Sequence, residues 1–406
     1  MKRILICASR ISHIIQFHLP YLKWFTRLGY EVHIAAEGAA ENAFRNAIFP
    51  LEETDIPKHC YDLRFVKNPA SPENLKTIRI LHRLMRDNAY EMVYSNATLA
   101  GFALRTAVRR LPKDKRPYCV HISHGYMFDD SRSLKSVLYR TAEKRSANVT
   151  DALIVMNRED QMLAEKYHLC RRIVLTNGMG LRSERFPEIS SQERQETRKQ
   201  YGAEDSTLLI LCVGEFCHRK NQLLLLKALN LLQSDVRHIR LIFAGTGETL
   251  NECREFAKRY ELTHFVRFAG QVQDMNRLYR SADLLLSASR MEGLPFNLLE
   301  SLYCHVPVIA SDIKGHRDLI RNGENGLLFS LQSEHADTEL CDTIKAVLHD
   351  KTLYPSIKSH AALNEAFLAD AVSPQILQVL DKDYFKHIPV PSGSNETARR
   401  FAAVGK

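Results

Sequence analysis

Long apolar runs are what this 406-residue chain most plainly lacks. No stretch approaches the roughly eighteen apolar residues that a membrane-spanning helix needs. The run Ile4–Ala8, behind the basic start MKRILICASRISH, is too short for a signal-peptide core and reads better as a first buried strand. The expected location is therefore the cytoplasm, with at most a peripheral hold on the inner face of the cell membrane. Cysteine pairs are missing too. The nine cysteines (Cys7, Cys60, Cys119, Cys170, Cys212, Cys217, Cys253, Cys304 and Cys341) are scattered, mostly in apolar runs, and no CxxC pair occurs. Neither a zinc site nor a disulfide framework is indicated, which points to a reducing compartment. Internal repeats, low-complexity tracts and aromatic-interleaved basic motifs are also absent, so nucleic acid is not an expected partner.

What the chain has is an ordinary globular composition, 45% apolar and 25% charged, with a net charge of +9 that invites anionic partners. Two segments concentrate the positive charge. Ser71-Pro72 caps a helix on which Lys76, Arg79, Arg83 and Arg86 share one face. The stretch Arg105–Arg116 adds Arg105, Arg109, Arg110, Lys113, Lys115 and Arg116 against a single acid, Asp114. Each alone reads as a solvated helix face; together they offer a docking surface for anionic membrane.

Short apolar strands alternate with helical patterns along most of the chain. Strands are expected at Arg3–Ala8, Glu31–Ala36, Glu91–Ser95, Tyr118–Ser123, Ala152–Met156 and Arg172–Thr176. The polar stretch 183–200 interrupts this rhythm before it resumes. Further strands follow at Thr207–Val213, Arg240–Ala244, Val266–Ala269, Asp283–Ala288, Pro307–Ser311 and Gly326–Phe329. This predicts an α/β chain of two doubly wound Rossmann-like domains, residues 1–185 and 186–370, facing across a cleft where ligands collect. A helix over Ser373–Lys386 is expected to end the fold, and the polar tail from Pro389 to be loosely ordered.

The most informative stretch is SADLLLSASRMEGLPFNLLESLYCHVPVIASD, residues 281–312. It reads strand, loop, helix, strand, with Pro295 at the first helical position. Glu292 then lies in the loop before the helix and Glu300 within it. The loop brings free N–H groups and a positive dipole end to the carboxyl edge of a parallel sheet, where anions bind. Two carboxylates beside an anion site suit a ligand that also carries hydroxyls, one acid for a sugar and one for a ribose. Earlier, Gly214 makes a tight turn and Lys220 arrives at a helix start, with Arg219 or His218 as a second cation. Glycine turns at Gly245 and Gly270, and His124-Gly125 after a strand, complete the set. His121 and His124 lack the further ligands that a zinc site needs.

The E-x7-E motif between its two strands resembles that of the retaining GT-B glycosyltransferases of family 4. The second-lobe motifs are the specific part, and the resemblance covers the chain to about residue 385. The His124-Gly125 element, and the Ser12-His13 loop with His18–Leu22 behind it, are similar to a branch that assembles capsule and exopolysaccharide. The resemblance implies a GT-B fold whose final helix and tail, residues 371–406, return to an acceptor-binding first domain. It also implies that the second domain holds a UDP-linked sugar. Glu292 would orient that sugar, Glu300 would meet the ribose and Lys220 the diphosphate, aided by Gly214, Arg219, Gly245, Gly293, Leu294 and Pro295. Gln271 and Val272 would lie where backbone reads the base. His124 would address the reacting hydroxyl, and His13 would line the acceptor side, for a glycan or polyprenyl-linked acceptor. No metal and no cofactor are implied. Two alternatives stay open: another GT-B sugar-nucleotide enzyme such as an epimerase, and a non-catalytic sugar-nucleotide-binding subunit.

Overall fold

The computed structural model describes residues 2–45, 57, 59–66, 68, 71–332 and 334–387. The tail from Pro389 lies outside the described residues. The first sheet holds β1 (Arg3–Arg10), β2 (Glu31–Glu37), β3 (His59–Asp62), β4 (Met92–Asn96), β5 (Tyr118–Ile122), β6 (Ala152–Val155) and β7 (Ile173–Leu175). They are parallel, in the order β3-β2-β1-β4-β5-β6-β7. The second sheet holds β8 (Leu208–Val213), β9 (Ile239–Ala244), β10 (Val266–Gly270), β11 (Leu284–Ser287), β12 (Val308–Ser311) and β13 (Gly326–Phe329). These too are parallel, in the order β10-β9-β8-β11-β12-β13. Continuous apolar runs become strands here because both faces are covered: Ile4 to Ala8 and Leu209 to Cys212 are buried without interruption.

Each expected strand forms, with ends shifted by a residue or two. The strand that sequence reading misses is β3, a four-residue edge strand, His-Cys-Tyr-Asp, with no apolar run to announce it. Strand order reverses between β1 and β4 in one sheet and between β8 and β11 in the other. A crevice opens at the carboxyl end of each reversal, and the two crevices face each other.

Backbone touches backbone where the lobes meet. A Cβ on Gly125 would lie 2.9 Å from Gly293 Cα, and one on Gly293 would run into the His124 carbonyl. Beside this contact Lys314 of the second lobe crosses to the first, donating to the Tyr126 carbonyl at 2.9 Å and to Asp160 Oδ1 at 2.8 Å. Asp160 is fully buried and also accepts from Tyr126 N and from Asn157, whose amide reaches the Gly293 carbonyl at 3.1 Å. One cluster of buried apolar side chains runs through both lobes and into the final helix, including Ile4, Tyr94, Leu298 and Ile376.

That helix, Ala369–Leu380, is followed by a short one, Tyr384–His387, so the single helix expected over Ser373–Lys386 starts earlier and breaks at Asp381. The chain enters it through paired backbone bonds, Leu181 N to Phe367 O and Ala369 N to Leu181 O. Trp24, the chain's single tryptophan, donates to Asp381 Oδ2 at 3.0 Å and stacks near Tyr384, with ring centroids 5.3 Å apart. The last described helices thus pack on the first lobe.

The basic segments part company in the structure. Ser71 caps the helix Pro72–Asn88 as expected, and Lys76, Arg79, Arg83 and Arg86 are exposed along it. Arg105, in contrast, is buried, gripping Glu143 with two bonds of 2.8 and 2.9 Å, so it contributes nothing to a surface. A cationic run does not reveal which of its members faces inward when the partner acid is 38 residues away. Among the described residues no helix is long and apolar enough to cross a membrane.

The inter-lobe ion pair carries a stability expectation. Lys314→Met strands a buried carboxylate and should lower unfolding free energy by about 3–5 kcal/mol. Urea unfolding checks this, and the loss should shrink when Lys314→Met is made in an Asp160→Asn background.

Candidate active site

The facing crevices form one cleft of about 570 Å³. The first lobe lines it with His13, Phe17, Thr98, His124, Gly125 and Met127, and the second with Gly214, Arg219, Lys220, the loop Met291–Phe296 and Glu300. All of these come from segments after β1, β4, β5, β8 and β11 or from the helix that follows β11.

After β8 the backbone turns at Gly214, where a side chain would press on the Lys220 chain at 3.2 Å. A Cβ on Gly245 would collide with the Gly214 carbonyl, so Gly245 supports the turn from behind and does not line the cleft. Lys220 Nζ lies 2.8 Å and Arg219 Nη1 2.7 Å from the same oxygen of Glu292. Burial opposes the charged form of Glu292, but Lys220 and then Arg219 outweigh it and hold the carboxyl below its usual range. His218 lines a separate depression with Asn221 and Gln222, so Arg219 is the second cation in the cleft.

The helix after β11 is Phe296–Tyr303. Pro295 is its N-cap, in extended conformation, one residue earlier than the first helical position expected. Asn297 ties the helix start to the end of β8 through a 3.1 Å bond to the Val213 carbonyl. Glu300 accepts from Tyr279 at 2.7 Å, yet burial dominates and pushes its carboxyl up to about 7. The two acids therefore differ: Glu292 is a committed anion, and Glu300 gains or loses its proton near neutrality.

On the opposite wall, Asn96 at the end of β4 joins three histidines. Its Oδ1 takes the Nε2–H of His124, and its Nδ2 donates to His13 Nδ1 at 2.5 Å and to His18 Nε2. The three ring nitrogens are close enough to share an ion, but the amide occupies the space between them with a bond to each. Since one amide oxygen accepts and one NH2 donates twice, the tautomers are fixed. His124 carries its proton on Nε2 and keeps Nδ1 as an acceptor. Burial holds all three rings neutral, with His13 pushed down to about 4 and His124 and His18 well below the usual range. Phe17 meets Phe296 from the facing lobe, with ring centroids 4.7 Å apart.

Two family models match this architecture half by half. Residues 19–175 match a glycosyl transferase 4-like domain, and residues 193–365 match glycosyl transferases group 1. The chain is 32% identical over 332 residues to the putative glycosyltransferase EpsD of Bacillus subtilis, spanning 81% of this chain and 84% of that one. The chain belongs to the family 4 (group 1) glycosyltransferases. It is 26% identical over 288 residues to an Escherichia coli UDP-Gal:alpha-D-GlcNAc-diphosphoundecaprenol alpha-1,3-galactosyltransferase, covering 68% of this chain and 70% of that one. Its fold is GT-B, shared with Anabaena Alr3699/HepE in complex with UDP at a TM-score of 0.68, 18% identity, 94% coverage of this chain and 100% of that one. Sugar transfer is thus the reaction class of this glycosyltransferase.

Of the residues singled out in the sequence, His13, His124, Gly214, Arg219, Lys220, Glu292, Gly293, Leu294, Pro295 and Glu300 converge on the cleft. Gln271 and Val272 do not; they line a neighbouring hollow with Tyr201 and Arg277. His121 faces away, its Nδ1 2.9 Å from Ser95 Oγ, against a helix that needs Gly101 there for clearance. Asn96 went unnoticed in the sequence. Its one signal is position, the last residue of a strand beside the order reversal. Replacing it with aspartate puts a charge among three rings and should raise at least one histidine pKa by about one unit or more. Ring nitrogen NMR of Asn96→Asp titrated from about pH 3 to about pH 7 checks this, with the His13 protonation midpoint expected above the parent's, which lies at about 4.

Proposed function

We propose that this glycosyltransferase moves a sugar from a UDP-linked donor, with retention and without a catalytic metal, onto a glycan or polyprenyl-linked acceptor in surface-polysaccharide assembly. The observation that carries this reading is the convergence of Lys220, Arg219, Glu292 and Glu300 on one wall of the cleft, opposite His124. Two cations against the one committed anion leave a net positive charge for a diphosphate, and the helix start at Phe296 adds its dipole. These groups would stabilise charge developing on the leaving diphosphate, which takes the acceptor proton. Glu292 would orient the sugar, Glu300 would accept from ribose hydroxyls, and His124 Nδ1 would hold the reacting hydroxyl by accepting its hydrogen bond until that proton passes to the diphosphate. The names of the relatives support donor and acceptor class: UDP in the Anabaena complex, and a diphosphoundecaprenol-linked sugar in the Escherichia coli enzyme.

Calorimetric titration with UDP, GDP and ADP in EDTA tests the donor site, with UDP expected to bind preferentially. Lys220→Ala should weaken UDP by roughly 1.5–3 kcal/mol, about 10- to 150-fold. Equal affinity in that variant would move the diphosphate elsewhere, and no binding of any nucleotide would favour a non-catalytic subunit.

A lipid-linked acceptor calls for a membrane face. The helix Leu134–Ser146, which follows the His124 loop, leaves Leu134 76% and Leu138 62% exposed, with Val137 between them. Arg132, Lys135, Lys144 and Arg145 are exposed around them, and the helix's one acid, Glu143, is buried against Arg105. Apolar side chains rimmed by unopposed cations suit an anionic bilayer, each cation contributing about 1 kcal/mol. The double variant Leu134→Ser, Leu138→Ser should lose flotation with phosphatidylglycerol-rich vesicles while keeping UDP affinity.

A further inference from the structure

We propose that Glu31, His33 and His59 form a site for a zinc-class divalent ion at the end of the first sheet opposite the cleft. Glu31 and His33 are two apart on β2 and so project from the same face; His59 opens β3 in direct register with His33. Their rings stack at 4.4 Å, and the three ligand atoms lie within 4.8 Å of one another. Glu31 Oε1 is 2.8 Å from His59 Nε2 and 3.6 Å from His33 Nε2. A tetrahedral zinc with bonds near 2.0–2.2 Å separates its ligand atoms by about 3.4 Å. The set needs only small side-chain adjustments to reach that.

Two observations point to a ligand and not merely to a hydrogen-bonded cluster. His33 is 1% exposed, and among the described residues its Nε2 makes no hydrogen bond, with Glu31 Oε1 3.6 Å away. A buried ring nitrogen held only by that long contact recovers little of its lost hydration, and an ion on its lone pair would supply the missing partner. The outer groups also match what ligating side chains require. Tyr90 Oη lies 2.6 Å from His33 Nδ1, the ring's other nitrogen, and Arg3 Nε donates to the second Glu31 oxygen at 2.6 Å. His59, 45% exposed at its side chain, leaves the site open to solvent for loading and for a water as fourth ligand. The ion would fasten β3, a short edge strand paired among the described residues to β2 alone, and would take no part in transfer.

The test uses the full, tag-free chain after chelation and removal of the chelator. Zinc chloride is titrated by calorimetry, cobalt chloride by visible absorption, and thermal unfolding is followed with and without zinc. Expected are one equivalent bound, a cobalt ligand-field band, and an unfolding midpoint raised by zinc. His59→Ala should fold and lose all three responses, whereas His13→Ala should keep them. Absence of binding in the parent chain, or binding lost in His13→Ala but kept in His59→Ala, overturns the proposal.

Discussion

The approach of Gly125 to Gly293 is the constraint around which the molecule is arranged. Two backbones in van der Waals contact set how far apart the lobes stand, and therefore how far His124 lies from Glu292 one residue away on each side. A single methyl group at either glycine would push the facing walls apart. The neighbouring Lys314–Asp160 pair would be an expensive way to gain stability alone, because both charges leave water. Its geometry serves register: one ammonium reaches a carbonyl of the loop after His124 and a carboxylate of the helix Arg158–Lys166 after β6, fixing the angle between the lobes.

Charge in the cleft follows from this placement. Three charges meet at Glu292, and their sum is positive. Across the gap the histidines contribute none, because burial and the Asn96 amide keep them neutral. The wall that would face a diphosphate is cationic, and the wall that would face a hydroxyl offers a neutral acceptor. Glu300, in the same cleft, is held near its titration point by burial.

Much of this was legible in the sequence because parallel strands buried on both faces are written as unbroken apolar runs. Loops after such strands fall at the sheet's carboxyl edge, so Lys220, Glu292, Glu300 and His124 had to end up near one another once the topology was set. Three things were not legible. β3 is an edge strand whose pairing comes from the backbone and not from its side chains. Arg105 reads as one of a row of surface cations because its acid lies in another helix. Asn96 matters through three partners scattered along the chain, at positions 13, 18 and 124, which no local spacing announces. Gln271 and Val272 show the converse. The loop was recognisable, but it lines a hollow with Tyr201 and Arg277 and not the main cleft.

Trp24, on the first-lobe helix Leu19–Arg27, is held against the last described turns, with its indole N–H on Asp381 and its ring near Tyr384. The polypeptide reaches that point only after passing through both sheets. The protein's intrinsic fluorescence therefore comes from the junction where the end of the fold meets its beginning. An emission shift on heating or on ligand addition would report the undocking of that closing helix, with no second indole to obscure it.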